Sequence, residues 1–330
     1  MMKESGLKRA AAEIRKHKNF LITVHTSPEG DALGAELAFA RLLKKLGKTA
    51  VMVNEDPLPQ EYNFLPGRED ILPYRGLKQK IFFDCMAILD CSDPRRAGEV
   101  CKLNNENKPV LNIDHHISNT LFADVNYVSP EASSASELIF RLYKELRVPL
   151  DRESALLLYV GIMTDTGSFR YSNTSALVHE ICAELLRFKV DVRAVYREIY
   201  ENIAFSDAQF FAGALSGIRL AACGRVAWVE VTAKALKEKK ITFDLSDHIL
   251  SFIRAIRGVE VAALFRENLG KKGEIRFNLR SNGKVDANKI AQAFGGGGHK
   301  SAAGCTLPGK LQDIRRRVIA RICKNLLNAK

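Results

Sequence analysis

A chain of 330 residues is long enough for two domains and a sizeable core, and its 46% hydrophobic and 27% charged residues exclude wholesale disorder, a collagen-like fibre and a disulfide-stapled mini-protein. Fifty Lys+Arg against 38 Asp+Glu leave a formal charge of +12, which favours a polyanionic partner, nucleic acid, nucleotide or acidic lipid, without choosing among them. The seven cysteines form no CxxC pair and are odd in number, which argues against a disulfide framework or a zinc ribbon and reads as reduced residues of a cytoplasmic protein.

In chain order, Lys3, Glu4, Lys8, Arg9, Arg15, Lys16 and Lys18 enclose no apolar block, so no signal peptide is expected. No later stretch approaches the ~20 apolar residues of a membrane helix; the longest, Ala155 to Met163, is far shorter, and no membrane partner is expected. Asn19 to His25 reads as a buried strand running into the polar turn Thr26-Ser27-Pro28-Glu29-Gly30-Asp31. Leu33, Leu37, Ala40 and Leu43 then repeat at helical spacing, with Lys44 and Lys45 in the last turn and Gly47 placed to end it. Thr49 to Val53, Met86 to Leu89 and Pro109 to Ile113 read as strands, the last two ending in Asp90 and in Asp114-His115-His116. Helical patterns follow at Ser134 to Leu146, Arg152 to Met163, Ala176 to Phe188 and Val192 to Ala204. Strands alternating with helices predict a parallel, doubly wound α/β sheet, whose ligands gather outside the carboxyl ends of the strands. Beyond a helical connector at 191–217, separating residues 1–190 from 218–330, the grammar changes. Val226 to Val231, Val259 to Phe265 and Glu274 to Leu279 read as strands and Asp286 to Phe294 as a helix, followed by Gly295-Gly296-Gly297-Gly298-His299. Leu311, Ile314, Val318, Ile322 and Leu326 predict an amphipathic final helix in a smaller α/β domain.

Four clusters concentrate metal-ligating side chains: His25, Glu29 and Asp31; Asp90; Asp114, His115 and His116; and Asp165. Taken singly, an aspartate at a strand end is commonly a helix cap, and adjacent histidines on an extended segment point to opposite faces. Jointly, carboxylates with imidazoles and no cysteine suit Mn²⁺, Mg²⁺, Zn²⁺ or Fe²⁺. Six or more such residues exceed the needs of one ion, so a pair of ions sharing a bridging carboxylate is expected, an arrangement that clamps both oxygens of a phosphoryl transfer. The glycine run offers unobstructed N–H donors to a phosphate, with His299 beside it, and Arg280-Ser281 and Arg96 are further candidate phosphate contacts.

The stretches HTSPEGDALGAELA, LDCSDPRRAG, NIDHHISNTLFADVNYVSPEASSASEL, GIMTDTGSFRYSNTS and FGGGGHKSAAG, in this order over nearly the whole chain, resemble the DHH phosphoesterase superfamily and its DHH-associated C-terminal domain. The compact two-domain form is similar to the nano-RNase and 3′-phosphoadenosine-5′-phosphate (pAp) phosphatase subgroup, often called NrnA-type. The resemblance implies a metal-binding domain over 1–190, a substrate-binding domain over 218–330 and an active-site cleft between them. It implies that His25 and Glu29 bind one metal, that Asp31, His115 and Asp165 bind the other, and that Asp90 bridges them. The family pattern has Asp where this chain has Glu29. His116, with Asp90 a catalytic candidate, would face the substrate phosphate, and Arg96, Arg280, Ser281, Gly296, Gly297, Gly298 and His299 would bind substrate. The implied cofactors are two divalent ions, Mn²⁺ foremost, with Mg²⁺, Co²⁺ or Fe²⁺ as alternatives. The implied partners are short RNA oligonucleotides, hydrolysed to mononucleotides, and pAp, hydrolysed to AMP; the reading also admits a homodimer. A soluble cyclic or linear dinucleotide phosphodiesterase and a RecJ-like single-strand exonuclease are the competing enzyme readings. A nucleic-acid-binding protein with a dead site is the competing reading from outside catalysis.

Overall fold

The computed structural model describes residues 2–77, 80–238, 245–267 and 273–328, in two compact units, Met1–Asn202 and Ile203–Lys330. The first unit contains α1 (Met2–Lys16), β1 (Asn19–Thr23), α2 (Gly30–Lys45), β2 (Thr49–Asn54), β3 (Ile71–Pro73), β4 (Cys85–Leu89), β5 (Val110–Asp114) and β6 (Val125–Val128). Four helices follow, α3 (Ala135–Glu145), α4 (Arg152–Asp165), α5 (Ala176–Leu186) and α6 (Val192–Tyr200). Its six strands are ordered β3-β2-β1-β4-β5-β6 and pair in parallel throughout, so the direction of winding reverses between β1 and β4.

Side chains alternate across this sheet as the pleat requires. Phe20 and Ile22 of β1, with Cys85, Ala87 and Leu89 of β4, face a core built with α2, α3 and α4, whereas Leu21, Met86 and Ile88 face Ala97 and Val100 on the other side. Covered on both faces, the central strands read as apolar runs, which is why the sequence exposes them. Ser134, Asp151 and Ser175 cap α3, α4 and α5 by accepting from the backbone N–H groups of Glu137, Ser154 and Val178.

A polar pair from α2 and β2 is buried in this unit. Asn54 donates to Glu36 Oε2 at 2.7 Å, while Glu36 Oε1 and Asn54 Oδ1 are buried without hydrogen-bond partners. Burial pushes the Glu36 carboxyl up to about 8, against the help of Asn54. A carboxyl that resists ionisation in the fold gives stability that is complete below the ordinary carboxylate pKa and is lost as pH rises toward 8. Wild-type metal-free protein should therefore lose a few kcal/mol relative to Glu36→Gln between pH 5 and pH 8. Urea unfolding of both proteins across that range checks it; parallel pH profiles would mean that Glu36 is ionised in the fold.

The second unit contains α7 (Phe205–Ser216), β7 (Arg219–Ala221), β8 (Val226–Val231), α8 (Ala233–Glu238), α9 (Ser246–Arg254), β9 (Val261–Glu267), β10 (Glu274–Ser281), α10 (Ala287–Gln292), β11 (Gly297–Gly298), β12 (Ala302–Pro308) and α11 (Leu311–Asn328). Its sheet runs β11-β12-β10-β9-β8-β7, antiparallel except for the parallel β8–β9 pair. One face packs on α10 and α11, with Leu311, Ile314, Val318, Ile322 and Leu326 buried, and the other packs on α7 and α9. The helices read as one connector over 191–217 fall on either side of the division, α6 in the first unit and α7 in the second.

Among the described residues no helix is long and apolar enough to cross a membrane. All seven cysteines are free; Cys85, Cys91 and Cys182 are buried, with thiols pushed up by burial to about 12, and Cys223 is exposed.

Candidate metal centre

In doubly wound sheets ligands gather outside the carboxyl ends of the strands at the reversal, which here are β1 and β4. Thr23 pairs with Ile88, so His25 and Asp90, each two residues further on, emerge side by side. Asp90 donates its backbone N–H to Ile113 O at 2.9 Å, which places it against the end of β5, where Asp114, His115 and His116 follow. Its backbone is left-handed, with φ 49°, a conformation that aspartate tolerates better than most residues and that is often found at functional positions. Asp31 enters from the first turn of α2 and Asp165 from the end of α4.

These side chains meet at Asp90. His25 Nε2 lies 3.4 Å from Asp90 Oδ2, whereas His115 Nε2 lies 3.4 Å and His116 Nδ1 3.6 Å from Oδ1. His115 Nε2 is also 3.9 Å from Asp31 Oδ2 and 3.6 Å from Asp165 Oδ2. The two histidine rings stand 5.0 Å apart with a 59° tilt. The chain thus leaves the extended geometry after β5, and the opposite orientation expected of adjacent residues on a strand does not occur. Among the described residues of the first unit, two groups of ligand atoms, Asp31/Asp90/His115 and Asp90/Asp114/His116, each lie within 4.8 Å of one another and share Asp90.

The surroundings aim these groups. His25 Nδ1 is 2.8 Å from Thr26 O, so Nδ1–H donates and the lone pair of Nε2 turns toward Asp90 in the neutral ring. Asp31 accepts from the backbone N–H groups of Ala135 (2.6 Å) and Ser136 (2.9 Å) at the N-terminus of α3. Asp114 Oδ1 accepts from His116 Nδ1 at 2.7 Å, and its other oxygen accepts from Asn119 Nδ2 at 2.7 Å. His116 Nε2 is left 3.3 Å from Arg96 Nη1.

The electrostatics are those of a crowded anionic cage. Burial lifts Asp31 to about 7, with the Asp90 charge adding to it, and burial holds Asp165 well above the usual carboxylate range despite His115. Burial opposes charge on Asp90 too, but the His115 and His25 rings hold its carboxyl well below that range. Burial likewise opposes charge on His115, yet Asp165 and Asp90 hold the ring well above the usual histidine value. Asp90 Oδ1 is buried with no hydrogen-bond partner. Buried carboxylates and imidazoles aimed at one another, with an unsatisfied oxygen at their centre, fit divalent cations, and the donor set is one that Mn²⁺, Mg²⁺ and Fe²⁺ accept.

The other candidates are distributed differently. Glu29 is the exposed N-cap residue of α2, makes no capping hydrogen bond and belongs to neither ligand group, although its charge acts on His25 and Asp165. In the second unit Arg280 is ion-paired with Asp247. Ser281 Oγ is engaged in its own turn, donating to Val285 O at 2.6 Å and accepting from Gly283 N at 3.1 Å. Gly297 and Gly298 form β11 on β12; a Cβ at Gly296 would stand 2.2 Å from Gly304 O, so sheet contact itself demands glycine there. His299 N donates to Ala302 O at 2.6 Å in the same hairpin. Sequence reasoning placed Asp114 in the cluster but missed its grip on His116; the alternation of donors in Asp-His-His was the available signal.

Comparison with known proteins shows a match to the DHH family, N-terminal domain, over residues 19–162, and to the DHHA1 domain over residues 226–324. The chain is 32% identical to a bifunctional oligoribonuclease and PAP phosphatase NrnA of Thermus thermophilus, over 93% of this chain and 90% of that one. It is 27% identical to the Mycoplasma genitalium protein of the same description, over 98% and 100% of the two chains. The crystal structure of an exopolyphosphatase-related protein from Bacteroides fragilis superposes with a TM-score of 0.88 at 25% identity, covering 97% and 96% of the two chains.

Proposed function

The chain belongs to the DHH family, with a DHHA1 domain in its second unit, and from that premise we propose that it is a metal-dependent phosphoesterase that hydrolyses short oligoribonucleotides to mononucleotides and pAp to AMP. The observation that carries the chemistry is Asp90: a buried carboxylate shared between two groups of ligand atoms at the sheet's reversal point. Support for the substrate class comes from the relatives' descriptions and from the distribution of charge. Residues 203–330 contain 23 Lys+Arg against 10 Asp+Glu, a net +13, whereas residues 1–202 contain 27 against 28, a net −1. The whole cationic excess therefore lies in the second unit, where it would attract a polyanionic substrate.

His25, Asp31, Asp90, His115 and Asp165 would hold the cations, with Glu29 as a further ligand of the site nearest His25. When bound, divalent ions supply Lewis acidity to phosphoester hydrolysis and neutralise phosphoryl charge. Asp114 fixes the His116 ring through Nδ1, so that Nε2 and the Arg96 guanidinium face the same volume. The Arg96 guanidinium would offer donors to a phosphoryl oxygen beside the oriented His116 ring. Arg280, Ser281, Gly296, Gly297, Gly298 and His299 are assigned to the substrate's phosphate.

Activity with Mn²⁺ should be greatest on RNAs of about two to five nucleotides and fall on longer ones. Gripping a long strand takes a series of aromatic stacking platforms. Near the glycine run, Phe277 is wholly buried and Phe294 packs edge-on against it, with ring centroids 5.6 Å apart. Labelled RNAs of two to twenty-four nucleotides, assayed at equal concentrations of ends beside pAp and a cyclic dinucleotide, test this. Fastest degradation of the longest RNAs would overturn it in favour of a RecJ-like exonuclease, and turnover of the cyclic dinucleotide alone would favour a signalling phosphodiesterase.

A further inference from the structure

β2 contributes no ligand to the metal centre, yet its carboxyl end delivers two consecutive carboxylates, Glu55 and Asp56, to the loops that do. Asp56 Oδ2 accepts from the backbone N–H of Ser27 at 2.8 Å and from Ser27 Oγ at 3.5 Å. Ser27 lies between His25 and Glu29 and has a left-handed backbone, φ 56°, in an exposed loop where nothing about serine favours that conformation. Glu55 Oε2 accepts from Glu99 N at 3.0 Å and packs against Gly98, where a Cβ would stand 2.8 Å from Glu55 Cγ. The segment so docked carries Arg96, whose carbonyl accepts from Thr26 N at 2.6 Å and whose guanidinium reaches His116. Both carboxylates thus bond to backbone amides, one on each of two loops that are themselves joined through Thr26 and Arg96.

We propose that Asp56 and Glu55 are positioning residues with separate duties. Asp56 holds Ser27 in the left-handed conformation that brings His25 and Glu29 to a cation, and Glu55 seats the 94–103 segment so that Arg96 meets the substrate phosphate beside His116. The proposal rests on the metal-ligand reading of His25, and its test separates the two.

The primary readout is Mn²⁺ binding by the purified full chain, followed by electron paramagnetic resonance of free Mn²⁺, with dinucleotide hydrolysis as the second. Asp56→Ala should weaken Mn²⁺ binding about tenfold, the scale of one left-handed residue left unsupported, with KM at saturating Mn²⁺ unchanged. Asp56→Asn, which keeps an acceptor for Ser27 N–H, should bind nearly as wild type does. Ser27→Gly in the Asp56→Ala background should recover most of the loss, because glycine adopts positive φ without penalty. Glu55→Ala should instead raise KM about tenfold and leave Mn²⁺ binding within twofold of wild type. A wild-type chain that binds no Mn²⁺ overturns the metal reading itself. Wild-type binding matched by Asp56→Ala overturns the positioning role alone. Failure of Asp56→Ala to fold, or a loss that Ser27→Gly does not recover, also overturns it, since Asp56 would then support the fold rather than this loop.

Discussion

Asp90→Asn is expected to lower hydrolysis by roughly 10³-fold or more, beyond the loss of a single stabilising donor, while the metal-free protein still folds, with lower stability at neutral pH. The substitution is isosteric, and asparagine tolerates the left-handed backbone at this position as well as aspartate does, so the fold is not strained. What disappears is the charge that both ligand groups share. The same charge raises the pKa values of Asp31 and Asp165, but the His115 and His25 rings hold Asp90 well below the carboxylate range, so its removal costs the metal-free fold more attraction than it relieves in repulsion. Hydrolysis should therefore fall far more than the folded fraction does, which a substitution that only damages the fold cannot imitate. Turnover with Mn²⁺ and a thermal melt without it measure both; retention of more than a tenth of the activity would remove Asp90 from the centre of the chemistry.

The second large effect is expected from a methyl group. Gly161 sits in α4 where a Cβ would stand 1.9 Å from Ser136 Oγ, 2.7 Å from Ser136 Cβ and 2.8 Å from Asp31 Oδ1. By helix propensity alone, Gly161→Ala should stabilise by about 1 kcal/mol. Here it must push α4 away from the start of α3, and with it the two backbone N–H groups that orient Asp31. A net loss of ~2–3 kcal/mol in urea unfolding is expected, the ordinary scale of overpacking, together with weaker Mn²⁺ binding. Ser136→Ala in the same chain should recover part of the stability by removing the nearest atom. A single variant within 0.5 kcal/mol of wild type would show that the helices separate at little cost.

What could be read from the residues follows what the fold does with them. β1, β4 and β5 were legible because both faces of a central parallel strand are buried, and their ends were legible because acids and histidines replace apolar residues there. The helices α3, α4 and α5 carry their caps in plain sight as Ser134, Asp151 and Ser175. By contrast α1 offered few apolar positions, Ala10, Ala11 and Ile14 among basic residues, and β3 and β7 are three-residue edge strands with little period to detect. The shared side of His115 and His116 depends on where the chain leaves β5, which no spacing records. Asp56 was invisible for a different reason: it acts on the backbone of residue 27, and a backbone angle has no letter in the sequence.

Cys91 follows Asp90 directly, and its thiol, pushed up to about 12, is ionised to roughly one part in 10⁴ at pH 8. Because alkylating reagents attack the thiolate, they pass over Cys91, as they do Cys85 and Cys182. Exposed Cys223, at the turn between β7 and β8, is the sulfur such reagents meet first. A fluorophore or spin label can therefore be attached to the second unit of the unmodified chain, while burial also raises the thiol of half-buried Cys101 in the first.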